Sequence, residues 1–219
     1  MRNLAFINAV RGLDPAAIRV EREDVVPNSR RRTGKRIFDI ALALPLSLLA
    51  LPLLIVLGIL VRATSRGPAL YWSFRAGRDN RIFRMPKLRT MRADAPELAT
   101  HLLAGAQRYL TPLGDFLRRT SLDELPQFFS ILAGDLSFVG PRPALFNQDD
   151  LIDRRTGLGI HRLTPGLTGW AQVNGRDRLT VEEKVRFDAE YLHKQSFWFD
   201  LRILAVTIGK VLVHDGISH

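Results

Sequence analysis

The sequence contains no cysteine. Disulfides, thiolate metal sites and a cysteine nucleophile are therefore excluded. Histidine is sparse and scattered. His101, His161, His193, His214 and His219 include no i, i+4 pair of the kind that holds zinc on a helix. Lysine is scarce as well. Only Lys35, Lys87, Lys184, Lys194 and Lys210 occur, so arginine supplies 27 of the 32 basic residues. Acidic residues number 22, which leaves a formal net charge of +10. Arginine's planar fork grips phosphate oxygens two at a time, and lysine's point charge does not. An excess of this kind suits nucleic acid, an anionic membrane surface or phosphorylated small molecules. A solvated basic surface is the bland alternative for any single cluster. No internal repeat or low-complexity tract is present.

The chain has 219 residues, of which 46% are hydrophobic, enough to pack a core in one domain with an appendage. Residues 1–33 read as an N-terminal arm. Its apolar run, Leu4 to Val10, is too short for a signal peptide and ends at Arg11. Residues 34–66 hold a basic flank and then the most apolar stretch. From Ile40 to Val61, 22 residues, only Ser47 is polar. A straight helix of that length spans ~33 Å, against a hydrocarbon core of ~30 Å. Fifteen of the 22 are Leu, Ile or Val. At roughly −0.5 kcal/mol each, insertion is favoured by about 7 kcal/mol. A buried core helix is the alternative, but the run is long for one. Pro45 and Pro52 lie inside it, and both flanks are basic: Arg30, Arg31, Arg32, Lys35 and Arg36 before, Arg62 and Arg66 after. Interior prolines kink helices, and the positive-inside bias holds both ends on the cytoplasmic side. A segment that enters the membrane, breaks at Pro52 and returns meets both conditions, although prolines also occur in spanning helices.

Residues 67–219 read as globular. Ala69–Trp72 and Ile82–Leu88 suit strands, with a turn at Arg78–Arg81. Helical patterning covers 95–106, 113–119, 122–132 and 181–194. Glycine and proline make 140–176 read as ordered loops. Residues 198–213 suit either an interfacial helix, with Trp198 at headgroup level, or a core helix.

Three clusters carry candidate chemistry. In Ser121-Leu122-Asp123-Glu124-Leu125-Pro126-Gln127, adjacent carboxylates stand at a helix start. The structural explanation is an S-x-x-E capping box, with acids favoured by the helix dipole. The chemical one is a nucleophile and a magnesium ligand, since carboxylates form covalent phosphoryl intermediates and Mg2+ takes one or two of them beside substrate phosphates. Around this pair the sequence sets Lys87 and Arg89 in Lys-Leu-Arg-Thr-Met, then Arg118, then Arg142 between two prolines. Each is a candidate phosphate contact. The third cluster runs from Thr164 to Arg176. There Gly166 permits close backbone approach, while Trp170, Gln172, Asn174 and Arg176 offer stacking and hydrogen bonds. Its alternative is a tight structural loop around a packed tryptophan.

In this order the motifs resemble the bacterial sugar transferase family, the monotopic phosphoglycosyl transferases. The blocks that carry the resemblance are Lys35-Arg36-Ile37-Phe38-Asp39-Ile40, Ser65-Arg66-Gly67-Pro68 with Arg75-Ala76-Gly77-Arg78, and Lys87–Met91. They continue with Leu122–Gln127, Gly134–Pro143 and Pro165–Arg176, so the resemblance spans roughly 34–213. One departure stands out: Leu51-Pro52 replaces a family Ser-Pro at the membrane helix break, which then rests on Pro52.

The resemblance implies the short form of the family, with the catalytic core alone. The fold it implies is α+β and mostly helical: a re-entrant membrane hairpin helix, a cytoplasmic α/β catalytic core and interfacial amphipathic helices. It implies a UDP-sugar donor, a polyprenol (undecaprenyl) phosphate acceptor and Mg2+. Asp123 becomes the nucleophile that displaces UMP, and Glu124 a metal ligand or a base, with Asp123 and Glu124 both in reach of the metal. The implied location is the bacterial inner membrane, among its lipids, with the catalytic domain on the cytoplasmic face. Partners would be a second copy and downstream glycosyltransferases of surface polysaccharide or glycoconjugate synthesis, with no nucleic acid. The competing reading is a non-catalytic membrane anchor of a glycan-assembly complex.

Overall fold

The computed structural model describes residues 29–92, 95, 106–175 and 178–213. The expected helix at 95–106 lies outside the described residues except at its two ends, and residues 1–28 of the N-terminal arm lie outside them too.

The apolar run forms helix α1 (Ser29–Thr64). Leucine and alanine, both strong helix formers, fill it. It is long and apolar enough to cross a membrane. The break expected near Pro52 is not an interruption, because the helix continues through both Pro45 and Pro52. A proline deletes one backbone hydrogen bond and bends a helix, and strong formers on either side can carry the helix onward. One stripe of α1 is buried: Asp39, Ala43, Ser47, Ala50, Leu57 and Val61. The opposite stripe is open, with Ile37, Leu48, Leu49, Ile55 and Ile59 each more than half exposed.

Both ends of α1 fasten to the same globular body. Near its start Lys35 donates to Asp200 at 2.6 Å, and Asp39 accepts from the Ser137 hydroxyl and the Phe138 amide, both at 3.1 Å. Near its end Leu57 and Val61 pack on Leu88 and Leu117.

That body begins with strands β1 (Leu70–Ala76) and β2 (Ile82–Leu88), which pair antiparallel. The register sets Ser73 opposite Met85 and Tyr71 opposite Lys87, so Lys87 shares the inward face of two buried residues. Helix α2 (Gly114–Arg119) follows, then a 3-10 turn at Leu122–Glu124 and helix α3 (Gln127–Ala133). The single helix expected over 122–132 is thus split at Pro126, whose missing amide suits a helix start and not an interior.

Strands β3 (Ser137–Val139) and β4 (Gly166–Thr168) pair in parallel. A Cβ on Gly166 would stand 2.1 Å from the Gly140 amide nitrogen, so glycine is required for this contact. Between the strands the expected loops contain helix α4 (Asp149–Gly157). Its acidic first turn and basic last turn match the helix dipole, a signal that the flanking glycines and prolines obscure. The short helix α5 (Trp170–Val173) follows β4. Helix α6 (Val181–Lys194) matches the expected span and starts with a capping box between Thr180 and Glu183. Helix α7 (Phe197–Val213) closes the described fold. It is both core and surface: Ile203 is fully buried, while Trp198 and Ile208 are largely exposed. Leu136, Val139, Ile160, Tyr191 and Ile203 form the centre of the core.

Candidate active site

The 3-10 turn at Leu122–Glu124 carries the carboxylate pair. Ser121 precedes it at φ 56°, a left-handed conformation that a non-glycine residue rarely adopts. The expected Ser121–Glu124 capping box is absent, because Ser121 makes no side-chain cap bond and only its carbonyl receives the Glu124 amide. The left-handed kink spends this residue on turning the chain after α2. It leaves Asp123 pointing inward, 6% exposed.

Three cations face the two carboxylates. Lys87 Nζ donates to Glu124 Oε1 at 2.8 Å and lies 4.0 Å from Asp123 Oδ2. Arg142 Nη2 lies 3.8 Å from the same Glu124 oxygen. Arg118 donates through Nε to the Thr90 hydroxyl at 2.9 Å, and its charge also acts on Asp123. Burial, the largest influence, pushes the Asp123 carboxyl above its ordinary value. Lys87 pulls it down, Glu124 pushes it up, and Arg118 pulls it down again.

Glu124 also lines a cavity of about 830 Å³. Leu125, Phe128 and Arg142 line it as well. Gln172, Asn174 and Arg178 contribute, and so do Leu204, Thr207 and Lys210 of α7. Asp123 stands behind Glu124 and is not part of the lining.

Of the residues singled out by sequence, Asp123, Glu124, Lys87, Arg118 and Arg142 come together. Gln172 and Asn174 reach the cavity, although each also donates to a backbone carbonyl, of Leu167 and Trp170. Arg89 does not join the site. Its guanidinium is buried against the end of α1, where it donates to the Ser65 and Arg66 carbonyls. Both carbonyls lie just past Thr64, the last residue of α1, so Arg89 ties down the chain that leaves the helix. Gly166 serves the β3–β4 contact. The Trp170 ring packs against Phe187 and Phe199, and its N–H donates to Glu190 at 2.8 Å, so it is absent from the cavity wall. Pro52 is an interior residue of α1, and Arg176 lies outside the described residues.

Sequence reasoning missed the brace behind Arg142. Arg155 on α4 donates to buried Asp188 on α6 through Nε at 3.0 Å and Nη2 at 2.6 Å. Its third nitrogen donates to the Arg142 carbonyl at 2.8 Å. Pro141 and Pro143 fix the backbone on either side. Arg178 and Lys210 were missed too, since neither sits in a recognisable motif.

The family described as bacterial sugar transferase matches residues 30–214, most of the chain. The chain belongs to the bacterial sugar transferase family. Among curated relatives of this transferase, the UDP-glucose:undecaprenyl-phosphate glucose-1-phosphate transferase of Escherichia coli (strain K12) is 39% identical over 193 residues. That match covers 84% of this chain and 41% of the relative. An uncharacterized sugar transferase, EpsL, of Bacillus subtilis (strain 168) is 38% identical over 184 residues, covering 84% of this chain and 90% of the relative. The undecaprenyl-phosphate galactose phosphotransferase of Salmonella typhimurium is 36% identical over 198 residues, covering 83% and 41%. The transferase thus spans less than half the length of two of these relatives and most of the third.

Proposed function

We propose that this transferase moves a sugar-1-phosphate from a UDP-sugar to a polyprenol phosphate at the cytoplasmic face of the bacterial inner membrane. The carrying observation is a buried carboxylate, Asp123, 4.0 Å from Lys87 and under the charge of Arg118, next in the chain to Glu124, which lines a cavity together with Arg142. The Escherichia coli relative is named for UDP-glucose and undecaprenyl phosphate and the Salmonella relative for undecaprenyl phosphate, which supports the same substrates.

The Asp123 carboxylate attacks the phosphorus that bears the sugar, and the bond to the bridging oxygen breaks. UMP departs with that electron pair. The oxygen of the lipid phosphate then attacks the aspartyl phospho-sugar, the Asp123–phosphorus bond breaks, and the free carboxylate returns. Desolvation makes Asp123 a stronger nucleophile than a hydrated carboxylate. Lys87, Arg118 and Arg142 offset the diphosphate charge as it leaves. The geometry favours Asp123 over Glu124 as the nucleophile, since Glu124 Oε1 is already held by Lys87 and faced by Arg142.

The donor set fits Mg2+ that arrives with the diphosphate. It offers two adjacent carboxylates, and no cluster of three metal-binding side chains exists among the described residues. Asp123 and Glu124 would hold the ion, which supplies charge neutralisation at the diphosphate oxygens.

Attachment of both ends of α1 to one body supports a re-entrant, monotopic arrangement, since a spanning helix would carry one end away from the catalytic domain. Basic residues at both flanks support it too. The exposed apolar side of α7 supports an interfacial position for that helix. UMP release across a panel of UDP-sugars, with and without polyprenol phosphate, tests the activity and separates an enzyme from an anchor. Single cysteines at Thr33 and Ala63 test the topology. Neither should react with an impermeant thiol reagent in intact cells, and labelling of one site alone would establish a span.

A further inference from the structure

The lining of the cavity beside Glu124 has two characters. Glu124, Arg142, Gln172, Asn174 and Arg178 are polar. An apolar strip comes from Leu125 and Phe128, one turn apart, and from Leu204 and Val211, two turns apart on one face of α7, whose last described turn also brings Lys210 to the lining. The ribose and phosphates of a nucleotide ask for polar partners, and only its base could lie against these apolar side chains. Lys210 is half-buried, and among the described residues no carboxylate lies within ion-pair distance of it. A half-buried ammonium in a cavity with apolar lining favours an anion, because apolar surroundings weaken its screening.

The strip also runs to an apolar surface. Val211 is itself 44% exposed, and on the same helix Val206 and Ile208 are open, as is Phe129 on α3. A ligand that fills the lining from Glu124 to Val211 has one end at the carboxylate pair and the other at exposed apolar side chains. An amphiphile meets both demands: an anionic head joined to an apolar chain.

We infer that the Leu125–Phe128–Leu204–Val211 strip seats the first isoprenoid units of the acceptor, with Lys210 holding its phosphate. The assignment rests on the function proposed above, and it places acceptor selection on α7. Thr207 fixes α7 to the sheet here, since its hydroxyl shares a 2.8 Å hydrogen bond with Thr168 on β4. The seat is therefore built on two joined elements, next to the site where the phospho-sugar is held.

Two measurements on the full chain test this. The first is kinetic, with undecaprenyl phosphate as acceptor in detergent. Lys210→Gln should raise its KM at least tenfold, while Lys210→Arg stays within about threefold of wild type. The phospho-sugar adduct formed on Asp123 from donor alone should keep its amount in Lys210→Gln. An unchanged KM would overturn the assignment. So would loss of the donor-only adduct, which would give Lys210 to the nucleotide. The second measurement needs no turnover. Farnesyl phosphate should raise the melting temperature of wild type more than that of Lys210→Gln, and more than farnesol or inorganic phosphate do. Equal shifts in the two proteins would sink the seat. If wild type forms no adduct from any UDP-sugar, the transferase reading falls, and the farnesyl phosphate comparison still decides the seat by itself.

Discussion

Two carboxylate–cation clusters in this protein use the same residue types toward different ends. Asp188 and Arg155 form a closed pair: the acid is 1% exposed, both are braced by helices, and the spare nitrogen of Arg155 is taken by a backbone carbonyl. Asp123 and Glu124 instead meet three cations, Lys87, Arg118 and Arg142, at the edge of a cavity. The first cluster is balanced and shut, so it can only hold. The second carries surplus positive charge beside open volume, so it is completed by an anion. What separates brace from site is charge balance and access, not residue identity.

The strongest way to break this comparison is Asp123→Asn. Transfer should fall by at least about 10³-fold with the melting temperature little changed, because the nucleophile is lost and the fold keeps its packing. UMP release and thermal melting measured on one preparation check both halves. Substantial activity in this variant would move the nucleophile elsewhere.

Arg155→Met should act in the opposite way. Removing one partner of a buried pair leaves Asp188 as an uncompensated buried charge, at a cost of about 3–5 kcal/mol. Denaturant unfolding reads this directly. A stability loss below about 1 kcal/mol would mean that the pair is less closed than its geometry indicates.

Lys87→Met should show itself in pH dependence. Lys87 is the largest downward pull on the Asp123 carboxyl, which burial already raises. The nucleophile works only when deprotonated, so activity is lost as pH falls through its folded-state value. Without Lys87 that value rises further, and the acid limb of kcat/KM should move to higher pH. A limb that stays in place, or moves lower, contradicts the assignment of that limb to Asp123.

The smallest effect belongs to Trp170→Phe. It keeps an aromatic ring among Phe187 and Phe199 but loses the bond to Glu190. About 1 kcal/mol of stability should go, visible as a shift in denaturant midpoint. If the donor KM rises more than it does in Gln172→Ala, Trp170 belongs with the nucleotide after all.

Local rules made much of this protein legible. Strand β2 spans its expected residues, helix α6 follows its hydrophobic period, and the apolar length of α1 is written in its composition. Asp123, Glu124, Lys87, Arg118 and Arg142 were identifiable because their motifs keep chemistry-bearing residue types in a fixed order. Other signals were present but outweighed. Thr180–Glu183 has the same capping pattern as Ser121–Glu124, yet only the former forms the box. The difference is the left-handed turn at Ser121, which sequence spacing does not reveal.

The sequence by itself determined the amphiphilic character of the chain, the absence of thiol chemistry and the adjacency of the Asp123 and Glu124 carboxylates. These depend on composition and near-neighbour order. Tertiary structure decided which arginines face the site and which hold the fold. Arg142 points at Glu124, Arg89 ties down the chain just past α1 and Arg155 braces α6, although all three are guanidinium groups with the same reach. It also decided that α7 shares a cavity with a turn more than 70 residues earlier in the chain. The physical reason is that a guanidinium bonds whatever acceptors the fold brings within a few ångströms. That proximity comes from packing between elements distant in sequence.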